Sequence, residues 1–405
     1  MRVLLITEPR RVDLYQFLQH DTKNEYYILW KDAKLFNPTK PDFVAECFSW
    51  EEFNSPTDIL NKLQPAKIVF YEIIDVLQIA LCITANYKNI PTLFIDHGLK
   101  PDSMEAFFAF YDSQPQITVN EKLKSAGTHF FSGLRNRMYY LSCINKIRAK
   151  NIVPFLRLMV QLQLMHPMKA LQKNNFDERT PNQFILFCKH NITLYQYYYF
   201  IQSKIISIVG NPQYDEFKIE LKNETKQDPY IVYIDADYLE SDVYGWDKNF
   251  HQKVARNLEE FAVSEKIKMH IKLHPRSNEE LWAGYNLNSE YITILKQGNF
   301  IELYLKAELI LAHYTSLLMG LVPAQKNIVL LGWRPSNPQV AGTDFDKYDL
   351  MHQSMYCEDL KEKYSYWILH NKTLLNQKQF LDFLDEFNSP FDGKATQRII
   401  DIINK

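Results

Sequence analysis

The sequence predicts an α/β protein built from two tandem, doubly wound parallel-sheet domains. Short apolar runs alternate with stretches of helical apolar spacing, which is the pattern of a parallel sheet covered on both faces. The alternation occurs twice, early in the chain and again after residue 230. The chain is also long: 405 residues, 46% of them apolar, hold more core than one domain usually accommodates.

The elements follow in order. Val3–Thr7 and Tyr26–Trp30 read as strands. A helix over Pro56–Leu63 leads into a third strand at Lys67–Tyr71. Asp75–Tyr87 has helical spacing, and Thr92–Ile95 is a further strand. Ile205–Val209 is β-branched and ends at the turn Gly210-Asn211-Pro212. The second series starts with a strand at Tyr230–Ile234 and a helix over Phe250–Ser264. Strands at Lys268–Leu273 and Tyr291–Leu295 come next, then a helix over Asn299–Lys306. A strand at Leu309–Ala312 opens onto a helix reaching about Leu321, and Asn327–Leu331 is the next strand. Helical segments close the chain, among them Gln377–Phe387 and Ala395–Ile403. The expected boundaries are 1–200 for an N-terminal domain and 201–385 for a C-terminal domain, with the hinge within 175–230. Residues 386–405 are expected to form a helix returning to the first domain.

Composition narrows the function class. A net charge of −2 gives no global signature of nucleic-acid binding. Five scattered cysteines without a CxxC pair read as reduced thiols of a cytoplasmic protein. The opening MRVLLITEPRRVD is too short in apolar residues for a signal peptide and fits a first strand. No uncharged apolar window is long enough to span a bilayer.

The polar clusters sit where strands end. In open α/β sheets the ligand crevice lies at the carboxyl ends of the strands, so these clusters are the candidate site. The run LFIDHGLK stops an apolar strand at Asp96-His97-Gly98. The run KLHPRS ends another at Lys272, His274, Pro275 and Arg276, a donor-rich tip suited to a phosphate. His274 there is a candidate to hydrogen-bond or protonate a departing phosphate oxygen. In LAHYTSLLMGL, Thr315 and Ser316 stand where a helix begins, so they serve as caps or as phosphate ligands. Gly210, Asn211 and Pro212 of GNPQYDEF end a strand, either as an interdomain turn or beside the donor nucleotide. Asp235-Ala236-Asp237 is the one DxD candidate, and its plainer reading is the end of a strand. No metal and no cofactor beyond a nucleotide-sugar donor are therefore expected.

The series DHG, GNPxYD, KLHP and a hydroxyl pair resembles a group of bacterial surface-polymer transferases. It is similar to CDP-glycerol glycerophosphotransferases of teichoic acid synthesis, with their HG, GxPRxD and KxHP motifs and hydroxyl pair. It also resembles bacterial sialyl- and polysialyltransferases, with an acidic-acidic-Gly motif, an HP motif and a serine pair. The resemblance implies the GT-B fold, two Rossmann-like domains with a cleft between them. It implies that His97 is the general base for the acceptor hydroxyl, with Asp96 orienting the imidazole or binding acceptor. It further implies that His274 meets the donor phosphate and that Thr315 and Ser316 bind phosphate oxygens. Two positions depart from the pattern: Gln213 stands for the usual arginine, and His313-Tyr314-Thr315-Ser316 for an acidic residue and serine pair. A neutral imidazole titrates near 6.5, which suits proton removal, and a carboxylate at contact distance would raise that value.

One stretch has its own character. Residues 122–173 hold ten basic and no acidic residues, leaving 36 basic against 48 acidic elsewhere, a net of −12. Ile152, Phe155, Leu156, Met159 and Val160 follow helical spacing there, and Phe130, Phe131, Tyr139 and Tyr140 lie among Arg135 and Arg137. Basic plus apolar residues in this arrangement suit a helix on an anionic membrane surface, a groove for an anionic acceptor, or a core helix with a basic outer face.

The expected function is an inverting transferase that moves a sugar from a nucleotide donor to a glycan. A CMP-activated acidic sugar such as sialic acid or Kdo is the first choice of donor. The acceptor is a cell-surface polysaccharide, capsule or lipooligosaccharide, glycan-borne or lipid-linked, met at the inner face of the cytoplasmic membrane. The alternatives are transfer of a polyol phosphate from a CDP donor, an inactive binding subunit, and a sugar-nucleotide epimerase.

Overall fold

The computed structural model describes residues 1–97, 130–199, 201, 204–218, 228–298, 300–340, 347–387 and 390–405. Gly98 of the DHG run and residues 122–129 of the basic stretch lie outside these. Among the described residues the chain forms two compact units: 1–97, 130–213 and 394–405 make the first, and 214–393 the second. The first unit thus runs past residue 200 to Gln213 and takes up the chain again at Lys394.

The first unit is a seven-stranded sheet. Its strands are β1 (Arg2–Ile6), β2 (Glu25–Trp30), β3 (Val44–Ser49), β4 (Lys67–Phe70), β5 (Thr92–Ile95), β6 (Gln183–Leu186) and β7 (Ile205–Ile208). They run in the order β3-β2-β1-β4-β5-β6-β7, every pair parallel. Among the described residues the helices that go with them before the second unit are α1 (Pro56–Leu63), α2 (Val76–Tyr87), α3 (Phe130–Leu141), α4 (Ile152–Leu164), α5 (Pro167–Lys173) and α6 (His190–Tyr199). Local chemistry sets their ends. Ser55 accepts from the Asp58 N–H at the start of α1, with Pro56 in its first turn. Asp75 and Gln78 form a capping box on α2. The central strands β4 and β5 are buried on both faces, which is why they read as continuous apolar runs.

The second unit is a six-stranded parallel sheet in the order β10-β9-β8-β11-β12-β13. Its strands are β8 (Tyr230–Ile234), β9 (Lys268–Lys272), β10 (Ile292–Leu295), β11 (Leu309–Ala312), β12 (Ile328–Leu331) and β13 (His352–Ser354). The helices are α7 (Lys248–Glu265), α8 (Glu279–Gly284), α9 (Ile301–Lys306), α10 (Leu318–Leu321), α11 (Asp359–Leu369), α12 (Lys372–Leu375) and α13 (Gln377–Phe387). Helix α7 shows why the periodicity was readable. His251, Val254, Ala255, Leu258, Phe261 and Ala262 are its buried residues, at three- and four-residue spacing. Asp247 caps its start, and Lys266 ends it in the left-handed conformation.

The last helix, α14 (Ala395–Asn404), belongs to the first unit. Ile399 and Ile403 join the core that holds Val3, Leu5 and Val69. Each such side chain taken from water contributes about 1.5–3 kcal/mol. Arg398 donates to the Val209 carbonyl at 2.9 Å and Lys67 Nζ to that of Ile403 at 2.5 Å, fixing the helix across the sheet. All five cysteines are buried free thiols.

Three strands escape sequence pattern. Edge strand β3 carries Glu46 and is only partly buried, so its run is interrupted. Strand β13 is three residues of polar sequence, HQS. Strand β6, the four-residue run QFIL, lies inside the stretch 175–230 expected to hold the hinge.

Candidate functional site

Each sheet has a switch point where the strand order reverses, β1/β4 in the first unit and β8/β11 in the second. The polar clusters belong to the carboxyl edges of these sheets.

In the first unit Asp96 and His97 follow β5. Asp96 is buried, 1% exposed, and its carboxylate is surrounded by donors. Oδ1 accepts from Tyr195 OH at 2.5 Å and from the His97 N–H at 2.8 Å. Oδ2 accepts from Asn191 Nδ2 at 2.5 Å and from the Phe187 N–H at 3.2 Å. A carboxylate has about four lone-pair directions, and four protein donors fill them. Asp96 is therefore the clasp that joins the end of β5 to the end of β6 and to α6. The carboxylate thus holds His97 through its main-chain N–H, a structural role beside the one the resemblance implies. Burial and this hydrogen bond also hold the Tyr195 hydroxyl well above its ordinary pKa, so it stays a donor. His97 itself is half-buried at the mouth of the edge.

In the second unit the loops after β8 and β9 are laced together. Ser277 Oγ donates to Asp235 Oδ2 at 2.6 Å, and the Asn278 N–H to Glu240 Oε1 at 2.7 Å. Arg276 forms an ion pair with Asp237 Oδ2, which also accepts from Ser241 Oγ at 2.6 Å. Lys296 Nζ donates to the Ser277 carbonyl at 3.0 Å. His274 stands in this turn with its side chain about one third exposed. Its Nδ1 accepts from the Arg276 N–H at 3.2 Å and lies 3.9 Å from Asp237 Oδ1. Partial burial lowers its pKa, with Arg276 and Lys272 lowering it further and Asp237 opposing them. The ring is thus neutral at pH 7. With Nδ1 accepting, the neutral ring carries its proton on Nε2, which can donate a hydrogen bond.

The neighbouring residues vary in availability. Arg276 is exposed but neutralised by Asp237, so a phosphate would share it with that carboxylate. Lys272 lies over the Phe300 ring at 5.2 Å, and burial lowers its pKa. Pro275 is exposed in the turn. The Asp235-Ala236-Asp237 run, dismissed above as a strand end, in fact organises this loop. The signal was its position after the central strand of the sheet. Burial raises Asp235 to about 7 despite the Ser277 hydrogen bond.

That carboxyl predicts a pH effect with a definite sign. The folded-state pKa is raised, so the folded protein keeps a proton that the unfolded chain releases. Stability from this group is present below the unfolded value near 3.8 and is lost as pH rises through about 7. Asp235→Asn keeps an acceptor for Ser277 and removes the titration. Its melting temperature should match the wild type near pH 3 and exceed it by several degrees at pH 8, the gap opening as pH rises from about 4 to about 7, an effect on the order of a few kcal/mol. Equal melting temperatures at pH 8 would refute the raised pKa.

The hydroxyl pair follows β11, next to β8. Thr315 Oγ1 accepts a long bond, 3.4 Å, from the Leu317 N–H, and Ser316 is exposed. Helix α10 behind them has only four residues, so an extended helix dipole is not what this loop offers. His313, just before, is a core residue: 2% exposed, ringed by Tyr233, Tyr238, Trp246 and Trp333, and lowered to about 3 by burial. The loop is held from below by Tyr214, whose hydroxyl donates to the Ser316 carbonyl. Tyr214 and Phe217 pack against Gly320, where an added Cβ would lie 2.8 Å from Tyr214 Cδ1 and 3.2 Å from the Phe217 ring. Gly320→Ala should therefore cost about 1–3 kcal/mol, readable as a lowered denaturation midpoint. An unchanged midpoint would show that Tyr214 yields freely.

The turn Gly210-Asn211-Pro212 lies in the first unit, not with the other donor candidates. Gly210 has φ 85°, which a residue with Cβ adopts only with strain. Asn211 Oδ1 accepts from the Gln213 N–H at 3.0 Å, and Gln213 Nε2 donates to the Asp13 carbonyl at 2.9 Å. Asn211 thus closes the turn, and Gln213 ties it to the segment after β1.

No family model matches the chain, and no curated protein matches it in sequence. Solved structures do match over its whole length. A variant of the wall teichoic acid polymerase TagF aligns at 11% identity, covering 100% of this chain and 88% of that one, with a TM-score of 0.56. The calicheamicin glycosyltransferase CalG4 aligns at 12% identity, covering 100% and 97%, with a TM-score of 0.53. MnaA of S. aureus, solved with UDP, aligns at 11% identity, covering 100% and 96%, with a TM-score of 0.51. The fold is GT-B. At these identities the likeness extends to the GT-B architecture alone. Within that architecture the second unit gathers Lys272, His274, Arg276, Asp235 and Asp237 on the loops after its central strands.

Proposed function

We propose that the protein is a transferase that uses a nucleotide-activated donor, with the donor phosphate bound at His274. The observation that carries this reading is the place of His274 in the turn after β9, held by the Arg276 N–H on its Nδ1, at the carboxyl edge one strand from the β8/β11 switch point. In the reaction an acceptor hydroxyl attacks the anomeric carbon of the donor sugar with inversion. The bond from that carbon to the phosphate oxygen breaks, and the nucleotide leaves with its new charge stabilised by the His274 Nε2–H. His97 is the base that takes the hydroxyl proton. Thr315 and Ser316 are further phosphate ligands. The donor we favour is a CMP-activated acidic sugar, and the acceptor a bacterial surface glycan, capsule or lipooligosaccharide. No metal is required in this reading.

A second reading keeps the site and transfers a polyol phosphate from a CDP donor. It is favoured by the fold likeness to TagF, one structure of which was soaked with CDPG.

The test is a thermal-shift panel of CMP, CDP, UMP, UDP, GDP and ADP on the purified protein, repeated with His274→Ala. A ligand of the folded state at a hundredfold excess over its Kd stabilises by about 2.7 kcal/mol. A shift with CMP that His274→Ala removes supports the first reading, and a larger shift with CDP than CMP supports the second. A shift with UDP alone would point to UDP-sugar chemistry instead. No shift with any nucleotide would refute donor binding and leave a non-catalytic binding role.

A further inference from the structure

The basic stretch carries a surface that the transferase reading does not use. Helix α4 is a 13-residue run, IVPFLRLMVQLQL, with one charge. Its inner side packs normally: Phe155 and Leu158 are fully buried, and Phe155 stacks on Tyr140 with ring centroids 4.2 Å apart. Its outer side is apolar too. Val153, Leu156, Val160 and Leu164 recur at intervals of three and four, so they form one stripe along the helix. They are 62%, 37%, 51% and 73% exposed. On α3, Leu134 and Met138 are exposed one helical turn apart. Arg137 of α3 donates to Gln163 of α4 at 2.6 Å, which joins the two helices beside both stripes. Apart from Arg157 and the two glutamines the helix presents apolar residues on both sides, and a core covers one side only.

We propose that the outward face of α4, with Leu134 and Met138, docks on an anionic phospholipid surface. The charge around it chooses the occupant. The 122–173 stretch has ten basic and no acidic residues in a chain otherwise at −12. Lys150 and Arg157 are exposed in and just before α4. Aliphatic side chains flanked by Lys and Arg suit the headgroup boundary, whereas protein interfaces favour aromatic anchors and disfavour lysine. Two of the aromatic residues of this stretch, Tyr139 and Tyr140, are buried in the core. Two of its charges are also spent internally. Arg135 donates to the carbonyls of Glu51 and Phe53, and Arg148 pairs with Glu178 and Asp177. Among the described residues no helix is long and apolar enough to cross a membrane, so attachment is to one face.

This inference goes beyond the transferase reading, and its test needs no donor. The full-length protein is sedimented with vesicles of phosphatidylcholine alone and with vesicles of phosphatidylcholine and phosphatidylglycerol. Binding should require the anionic lipid and weaken with salt. Val160→Glu with Leu164→Glu should lower the partition coefficient roughly tenfold or more. Lys150→Glu with Arg157→Glu should lower it on the order of tenfold. Both pairs are exposed, so melting temperatures should stay at the wild-type value; if the first pair melts early, Val160→Thr with Leu164→Ser replaces it. Absence of binding to the anionic vesicles, or binding unchanged in the stripe variant, would overturn the proposal. So would a wild-type dimer, seen by light scattering, that the stripe variant turns into a monomer, since the face would then belong to a second copy.

Discussion

Asp96→Ala should unfold the first unit early, with a loss of about 3–5 kcal/mol. The carboxylate receives the Tyr195 hydroxyl, the Asn191 amide and the main-chain N–H groups of His97 and Phe187. Removing it strands several buried donors at once, and each orphaned donor costs about 1–3 kcal/mol unless water enters. The melting temperature should fall by roughly 10 °C, since each kcal/mol shifts a unit of this size by about 2–4 °C. Asp96→Asn separates structure from chemistry. The amide keeps one acceptor oxygen but turns an NH2 toward donors, so part of the loss remains. A variant that melts like the wild type yet loses transfer would give Asp96 a chemical role and sink the clasp assignment.

His274→Ala should lower the transfer rate by about 10²–10³-fold with the fold intact, the usual cost of removing one donor from a developing oxyanion. The side chain is about one third exposed and carries no core packing, so stability should hold. The pH profile tells the role. Burial and the neighbouring cations lower the His274 pKa, so the ring is already neutral at pH 7, and its Nε2 proton remains as pH rises to 8. Activity that depends on a hydrogen bond from neutral His274 therefore persists across that range. A rate that falls as pH rises through the lowered His274 pKa would mark an imidazolium acid instead. A wild-type rate in His274→Ala would remove the phosphate role altogether.

Much of the architecture was legible because it rests on local pattern. Apolar run length and helical spacing belong to a few consecutive residues, so β1, β5, β8, β9 and β11 and helices α1, α2 and α7 could be found without their partners. The strand ends could be found with them, and so could His97, His274, Thr315 and Ser316 as edge residues. Strands β3 and β13 were lost because an edge strand with an acid and a polar triplet have no period to read, and β6 because it lies in the stretch expected to be a hinge.

The roles within the site were another matter. Asp96 looks in sequence like a partner for the neighbouring imidazole. Its actual partners Phe187, Asn191 and Tyr195 come 91–99 residues later, and only the β5–β6 pairing brings them together. Asp235 reads as a strand end, and its burial beneath Ser277, 42 residues on, raises its pKa to about 7. The stripe on α4 and the buried Tyr139 and Tyr140 have the same composition either way, and packing alone decided which apolar residues went inside. The sequence by itself determined where strands and helices form and which polar residues end them, because those depend on near neighbours. Hydrogen-bond saturation, protonation and exposure depend on distant ones, and only the tertiary structure decided them.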